Sequence, residues 1–236
     1  MLSIARLGAW QSTGHSLAAW IFVFFLLVVF PVADYFFYFR LKSTLQLYVW
    51  NIFAEWGLVA GGVWVARQNG LSLTDLGQSP GSYLRLLLAL GLLLAVVGVV
   101  MMLSRRRTHK ARADQLSKAA GQVRRLLPVS QIERRVWVAV ALTAGICEEL
   151  IYRGWLLSFT GAATRSLLVG LVVSSIFFGL AHAYQGRNGI IGASVLGMVF
   201  GTVFVVSGTV IPGQILHVFI DLNNGLVLGK KVSDGL

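Results

Sequence analysis

Three short stretches hold the side chains able to do chemistry in an otherwise apolar chain. Cys147-Glu148-Glu149-Leu150-Ile151-Tyr152-Arg153 sets two adjacent carboxylates ahead of a guanidinium. Phe178-Gly179-Leu180-Ala181-His182 puts an imidazole one turn after an aromatic ring, and His217-Val218-Phe219-Ile220-Asp221 supplies a second imidazole with a carboxylate one turn on. On a helix, residues four apart stack on one face while neighbours diverge by about 100°. The spacing therefore pairs Glu149 with Arg153 and leaves Glu148 free on another face. Singly, each stretch has a plain reading: a lone His in an apolar helix is more often a hydrogen-bonded packing residue, and a Glu/Arg pair within one helix is usually structural. Together they supply a general base, two imidazoles and a further carboxylate, the ingredients for activating water against a carbonyl.

The elements that position these residues lie in lipid. Of the 236 residues 56% are hydrophobic and 12% charged, and the mean hydropathy is +0.75, more apolar than a soluble domain can bury. Seven segments are long and apolar enough to cross a hydrocarbon core as helices of about 20 residues: 17–39, 45–66, 83–103, 136–159, 166–184, 189–207 and 209–228. The fold class expected is an all-α polytopic membrane protein. It divides into three N-terminal transmembrane helices (1–103), a basic cytoplasmic loop or interfacial helix (104–135) and a catalytic core of four transmembrane helices (136–236).

An ionised side chain at the bilayer centre costs about 3 kcal/mol on insertion scales, so charges there survive where they face protein or water and have partners. The net charge of +11, from 20 Lys and Arg against 9 Asp and Glu, comes from residues between the apolar spans. It reads as a topology and lipid signal, with the bilayer rather than nucleic acid as partner. Arg40, Lys42, the basic run of 104–135, Arg187, Lys230 and Lys231 fall on one side, against Arg6, Arg67, Arg85 and Arg165 on the other. The positive-inside rule then sets the N-terminus outside and the C-terminus in the cytoplasm. Ala193, Gly197 and Gly201 repeat small residues at four-residue spacing, a pattern for close helix packing in lipid. Asp34 and Glu55 lie within the first two spans and are assigned no chemistry.

The order Glu-Glu-x-x-x-Arg, Phe-x-x-x-His, His-x-x-x-Asp, each on its own helix over about 141–228, resembles the CPBP family of intramembrane proteases. That family includes the CAAX prenyl endopeptidases and proteins associated with bacteriocin processing or immunity. Spans one to three resemble nothing nameable. The resemblance implies an intramembrane endopeptidase of a prokaryotic inner (cell) membrane, cleaving near the C-terminus of a membrane-associated protein or peptide that is lipidated or carries a C-terminal sorting tail. It implies that Glu148 and His182 position and deprotonate a water, that His217 and Asp221 stabilise the tetrahedral intermediate or share a metal, and that Arg153 holds Glu149, with Phe178 in support. Asp221 stands where the eukaryotic prenyl proteases usually carry Asn, which weakens transfer of their substrate.

Two mechanisms stay open: a glutamate-activated water without metal, or a metallo-endopeptidase in which His182, His217 and Glu148 are the candidate ligands of a Zn²⁺. No His-Glu-x-x-His helix is present, which favours the metal-free form, with no certain cofactor. Cys147 invites a thiol-protease reading, but an apolar setting disfavours the thiolate. The functional alternative is a catalytically silent membrane scaffold or bacteriocin-immunity-type protein of the same fold. A transporter would spread its carboxylates along a path, whereas these cluster.

Overall fold

A computed structural model describes residues 8–11, 16–91 and 123–233, and among them it contains helices and no strands. Four helices begin at a serine whose hydroxyl accepts the amide of the third residue on: Ser16, Ser43, Ser130 and Ser166. At Ser43 and Ser130 the third residue, Gln46 or Glu133, returns the bond to complete a capping box, satisfying donors a helix start leaves orphaned. Helix α1 spans Leu17–Arg40, with a π-turn at Phe25–Val29. Helix α2 spans Thr44–Gln68, and a further helix opens at 83–91.

Helix α3 runs unbroken over residues 131–163. It is α-helical over Gln131–Glu148, π-helical over Glu149–Leu157 and α-helical again over Ser158–Ala163. Then follow α4 (Leu167–Ala181), α5 (Gly186–Ser207) and α6 (Ile211–Ser233). Gly208, left-handed at φ 72°, closes α5 by donating its amide to the Phe204 carbonyl, the backbone setting in which glycine is favoured.

Leu17–Arg40, Thr44–Gln68 and Ala183–Ser207 are long and apolar enough to cross a membrane, and α4 is a shorter apolar helix. Buried ionisable side chains lie on α2 (Glu55), α3 (Glu149 and Arg153) and α6 (His217). Outward-facing Phe24, Phe53, Trp64, Ile191 and Phe219 are exposed, as expected where the solvent is lipid. Of the seven expected spans the third is described only to residue 91. Its remainder, and the basic stretch 104–135 as far as residue 122, lie outside the described residues.

Three details differ from the expectation. Helix α3 starts at Gln131 rather than Val136, because the Ser130–Glu133 capping box nucleates it earlier and takes Arg134 and Arg135 into the helix. Helix α4 stops at Ala181, so His182 is its C-cap (φ −93°, ψ 19°) and not a helical residue. The turn of α3 that holds Glu149 and Arg153 is π rather than α, a wider coil frequent at functional sites.

That π-segment is buried on every side and is gripped by the N-terminal helices. Trp155 donates its indole N–H to the Gly62 carbonyl of α2 at 3.0 Å, and its ring meets Phe22 of α1 at 4.7 Å between centroids. On the other side α4 and α5 meet through small residues, as their spacing predicts. A Cβ on Gly197 would come within 3.1 Å of the Ser175 Cα, and one on Gly201 would strike the Leu171 side chain. Ala193 packs against the core.

Candidate active site

The adjacent glutamates have different surroundings. Glu149 and Arg153, each 1% exposed, form an ion pair at 3.0 Å from Oε1 to Nη1. The same Oε1 lies 3.2 Å from Nδ1 of His217 on α6. Because a carboxylate only accepts, Nδ1 carries the proton, and Glu149 fixes the orientation of that ring. The second oxygen, Oε2, faces Gly213 in the first turn of α6, where a Cβ would come within 2.8 Å of it. The positive end of a helix dipole favours a carboxylate there. A guanidinium, an imidazole and a helix start thus offset the burial of one anion.

His217 is 3% exposed and stacks on Phe200, 5.3 Å between centroids. Its Nε2 lies 3.8 Å from Glu148 Oε2 and 3.6 Å from Asp221 Oδ2, so three carboxyl groups surround one imidazole. The α3–α6 contact that brings them together is close: a Cβ on Gly145 would come within 2.8 Å of the Val218 amide nitrogen. Trp137 of α3 donates its indole N–H to the Asp221 carbonyl at 3.0 Å.

Phe178 explains the second motif. Its carbonyl accepts from His182 Nδ1 at 2.8 Å, which fixes the proton on Nδ1 and leaves Nε2 an acceptor in the neutral ring. Its own ring lies 4.1 Å from the Arg153 guanidinium, 4.8 Å from the His182 ring and 5.9 Å from that of His217. One aromatic side chain therefore covers a buried cation and separates the two imidazoles.

Glu148 turns to the other side, as the helical angle predicts. With His182 it lines a cavity of about 40 Å³, whose walls also include Asp34 of α1, Asn51 and Glu55 of α2, Cys147 and Tyr184. A single water needs roughly 10–15 Å³ by this measure, so a few fit. The arrangement thus has two parts: Glu148 and His182 on the cavity, and His217, Asp221, Glu149 and Arg153 behind and beside them. Glu148 joins the two.

Asp34, Asn51, Glu55 and Gly213 were not among the site residues inferred from sequence. Asn51 and Glu55 did carry a signal, because they form a polar pair at four-residue spacing like His217 and Asp221. The indole of Trp50 donates to Asp34 at 3.0 Å, and Asn51 Nδ2 donates to Glu55 Oε1 at 2.7 Å.

A metal would need several of these groups aimed at one point. His217 and His182 are each held at Nδ1, by Glu149 and by a backbone carbonyl, which leaves both Nε2 atoms available as donors, and no group of three or more His, Cys, Asp or Glu that could hold an ion is found among the described residues.

An all-α membrane protein with an acid–imidazole cluster between its helices is the class that fold and site define. Residues 131–223 match the model of a family described as Type II CAAX prenyl endopeptidase Rce1-like. Over this stretch, which runs from the first residue of α3 to just beyond Asp221, the chain is similar to the CPBP/CAAX protease family. The family supports a protease that acts on membrane-associated protein substrates. Helices α1 and α2, with Asp34 and Glu55, lie outside the matched residues. No curated protein and no solved structure matches the chain.

Proposed function

We propose that this protein is an intramembrane endopeptidase that hydrolyses a peptide bond near the C-terminus of a membrane-associated protein or peptide, using a water activated by Glu148. The observation that carries this reading is the cavity shared by Glu148 and His182, which has room for water beside a carboxylate and an imidazole. The Glu148 carboxylate takes a proton from the water as its oxygen attacks the carbonyl carbon. His182, held by Phe178, accepts a hydrogen bond at Nε2 and orients that water.

The oxyanion that forms needs a donor. His217 can act as one in its doubly protonated form, with Nδ1 directed to Glu149 and the surrounding carboxyl groups as countercharge. As the tetrahedral intermediate collapses, Glu148 passes its proton to the leaving nitrogen and returns to the carboxylate. An apolar groove of about 320 Å³ between α1 and α2 shares Phe30 and Leu58 with the catalytic cavity. That continuity suits a substrate with an apolar tail beside its scissile bond.

The test is a cleavage assay on purified protein in detergent, with peptides carrying lipidated, hydrophobic or unmodified C-terminal tails and detection of the new termini. Glu148→Gln is expected to remain folded and to lower turnover at least about a hundredfold, the scale of a general-base contribution. A strong chelator is expected to leave the wild-type rate unchanged. Normal cleavage by Glu148→Gln would overturn the role of Glu148, and loss of turnover on chelation would overturn the metal-free reading. If no tail in the set is cleaved, the silent scaffold is the better description.

A further inference from the structure

The cavity holds a second buried carboxyl that the hydrolytic steps above do not use. Glu55 of α2 is 4% exposed. Asn51 anchors its Oε1, while Oε2 is buried without a hydrogen-bond partner. Glu148 Oε2 is likewise buried without a hydrogen bond from the groups around it, its nearest cationic neighbour being His217 Nε2 at 3.8 Å. Both carboxyls line the same small cavity. Two carboxylates cannot bond to each other, and two adjacent anions in a poorly solvated cavity repel strongly. A single proton between them resolves both problems.

Among the described residues no Lys or Arg lines the cavity to take the place of that proton. The polar groups that face it there are Asp34 from α1, Tyr152 from α3, and His182 and Tyr184 after α4, with Asp221 of α6 farther behind Glu148. Arg153 and His217 are held by Glu149 on the opposite side.

We propose that Glu55 carries a proton and donates it as a hydrogen bond to Glu148, making Glu55 a positioning residue supplied from outside the family-matched part of the chain. This rests on the reading of Glu148 as the base. The bond holds the Glu148 carboxylate in the orientation that meets the water and leaves its other oxygen free to take the proton. No bond to Glu55 forms or breaks over the cycle, and Glu55 ends as it began.

A first measurement does not depend on turnover. The infrared difference spectrum of wild type minus Glu55→Gln, recorded near neutral pH in detergent, is expected to contain the C=O stretch of a protonated carboxylic acid that shifts in D₂O. Absence of that band overturns the proposal. Kinetics give the second. Glu55→Leu is expected to lower kcat at least tenfold with KM unchanged, and Glu55→Gln, whose neutral amide can still donate to Glu148, to recover most of that loss. If Glu55→Gln is as inactive as Glu55→Leu while both remain monodisperse, the neutral-donor role is wrong.

Should Glu55→Leu fail to fold, the infrared band and the Glu55→Gln rate still decide. Glu148→Gln measured alongside separates the two readings. Normal turnover in that variant removes the base and leaves the Glu55 band as a structural fact, whereas an inactive Glu148→Gln beside an unaffected Glu55→Leu removes only the present proposal.

Discussion

The two walls of the catalytic cavity handle buried charge by different means. On the side built by α3 and α6, the anions have cationic or potentially cationic partners: Glu149 meets Arg153 and His217, and His217 in turn meets Glu148 and Asp221. On the side built by α1 and α2, the acids meet neutral donors, the Trp50 indole at Asp34 and the Asn51 amide at Glu55. A neutral donor offsets the desolvation of an anion less than a charge-assisted pair does. One wall thus relies on paired charge and the other on neutral donors. Glu148 lies between them.

The sharpest way to break this comparison is to remove the anion from the charged wall. Glu149→Gln leaves Arg153 a buried cation with its ion pair gone, and in wild type Arg153 Nη2 already has no hydrogen bond. The Phe178 ring at 4.1 Å offsets only part of that, since a desolvated cation–π contact contributes about 2 kcal/mol. Unfolding in detergent is expected to show a loss of about 3–5 kcal/mol, the cost of breaking a buried pair from one side. Full stability with abolished turnover would instead make Glu149 a participant in the chemistry.

A smaller effect is expected from Gly213→Ala, which leaves every charge in place. The added methyl would come within 2.8 Å of Glu149 Oε2, so either α6 or the carboxylate must shift. Overpacking of this kind costs about 1–3 kcal/mol. Because Glu149 orients the His217 ring, turnover should fall on the order of tenfold, within the range that misplacement of a catalytic group produces. Wild-type turnover and stability in this variant would mean that the position of Glu149 matters little.

How far the sequence revealed this arrangement follows the same division. Glu149 with Arg153, Phe178 with His182 and His217 with Asp221 are partners one turn apart on the chain, so spacing alone paired them. The separation of Glu148 from Glu149 also followed from helical geometry. What spacing did not supply were partners on different helices. Glu149 reaches His217 where Gly145 lets α3 and α6 approach closely, and Glu55 shares a cavity with Glu148 where α2 packs on the π-segment through Trp155 and Gly62. The π-segment itself was not legible, since its residues read equally well as an α-helix.

The smallest effect should come from Cys147→Ser, and it tests which atom attacks the substrate. Cys147 lines the same cavity as Glu148 and precedes it in the chain, so proximity alone would allow a thiol nucleophile with His182 as its base. The surroundings argue otherwise. Cys147 is buried and shares the cavity with the Glu148 carboxylate, and burial beside an anion disfavours a thiolate, which is the reactive form. Serine keeps the size and can turn its hydroxyl to the carbonyl four residues back, so the substitution should cost little in stability. If water is the nucleophile, kcat/KM should stay within about threefold of wild type, under 1 kcal/mol in barrier height. If sulfur attacks the carbonyl, replacing it should remove several orders of magnitude from kcat. The two mechanisms therefore differ far beyond assay error, and an iodoacetamide treatment that spares Cys147→Ser but abolishes wild-type turnover would separate blockage of the cavity from loss of a nucleophile once the variant's own rate is known.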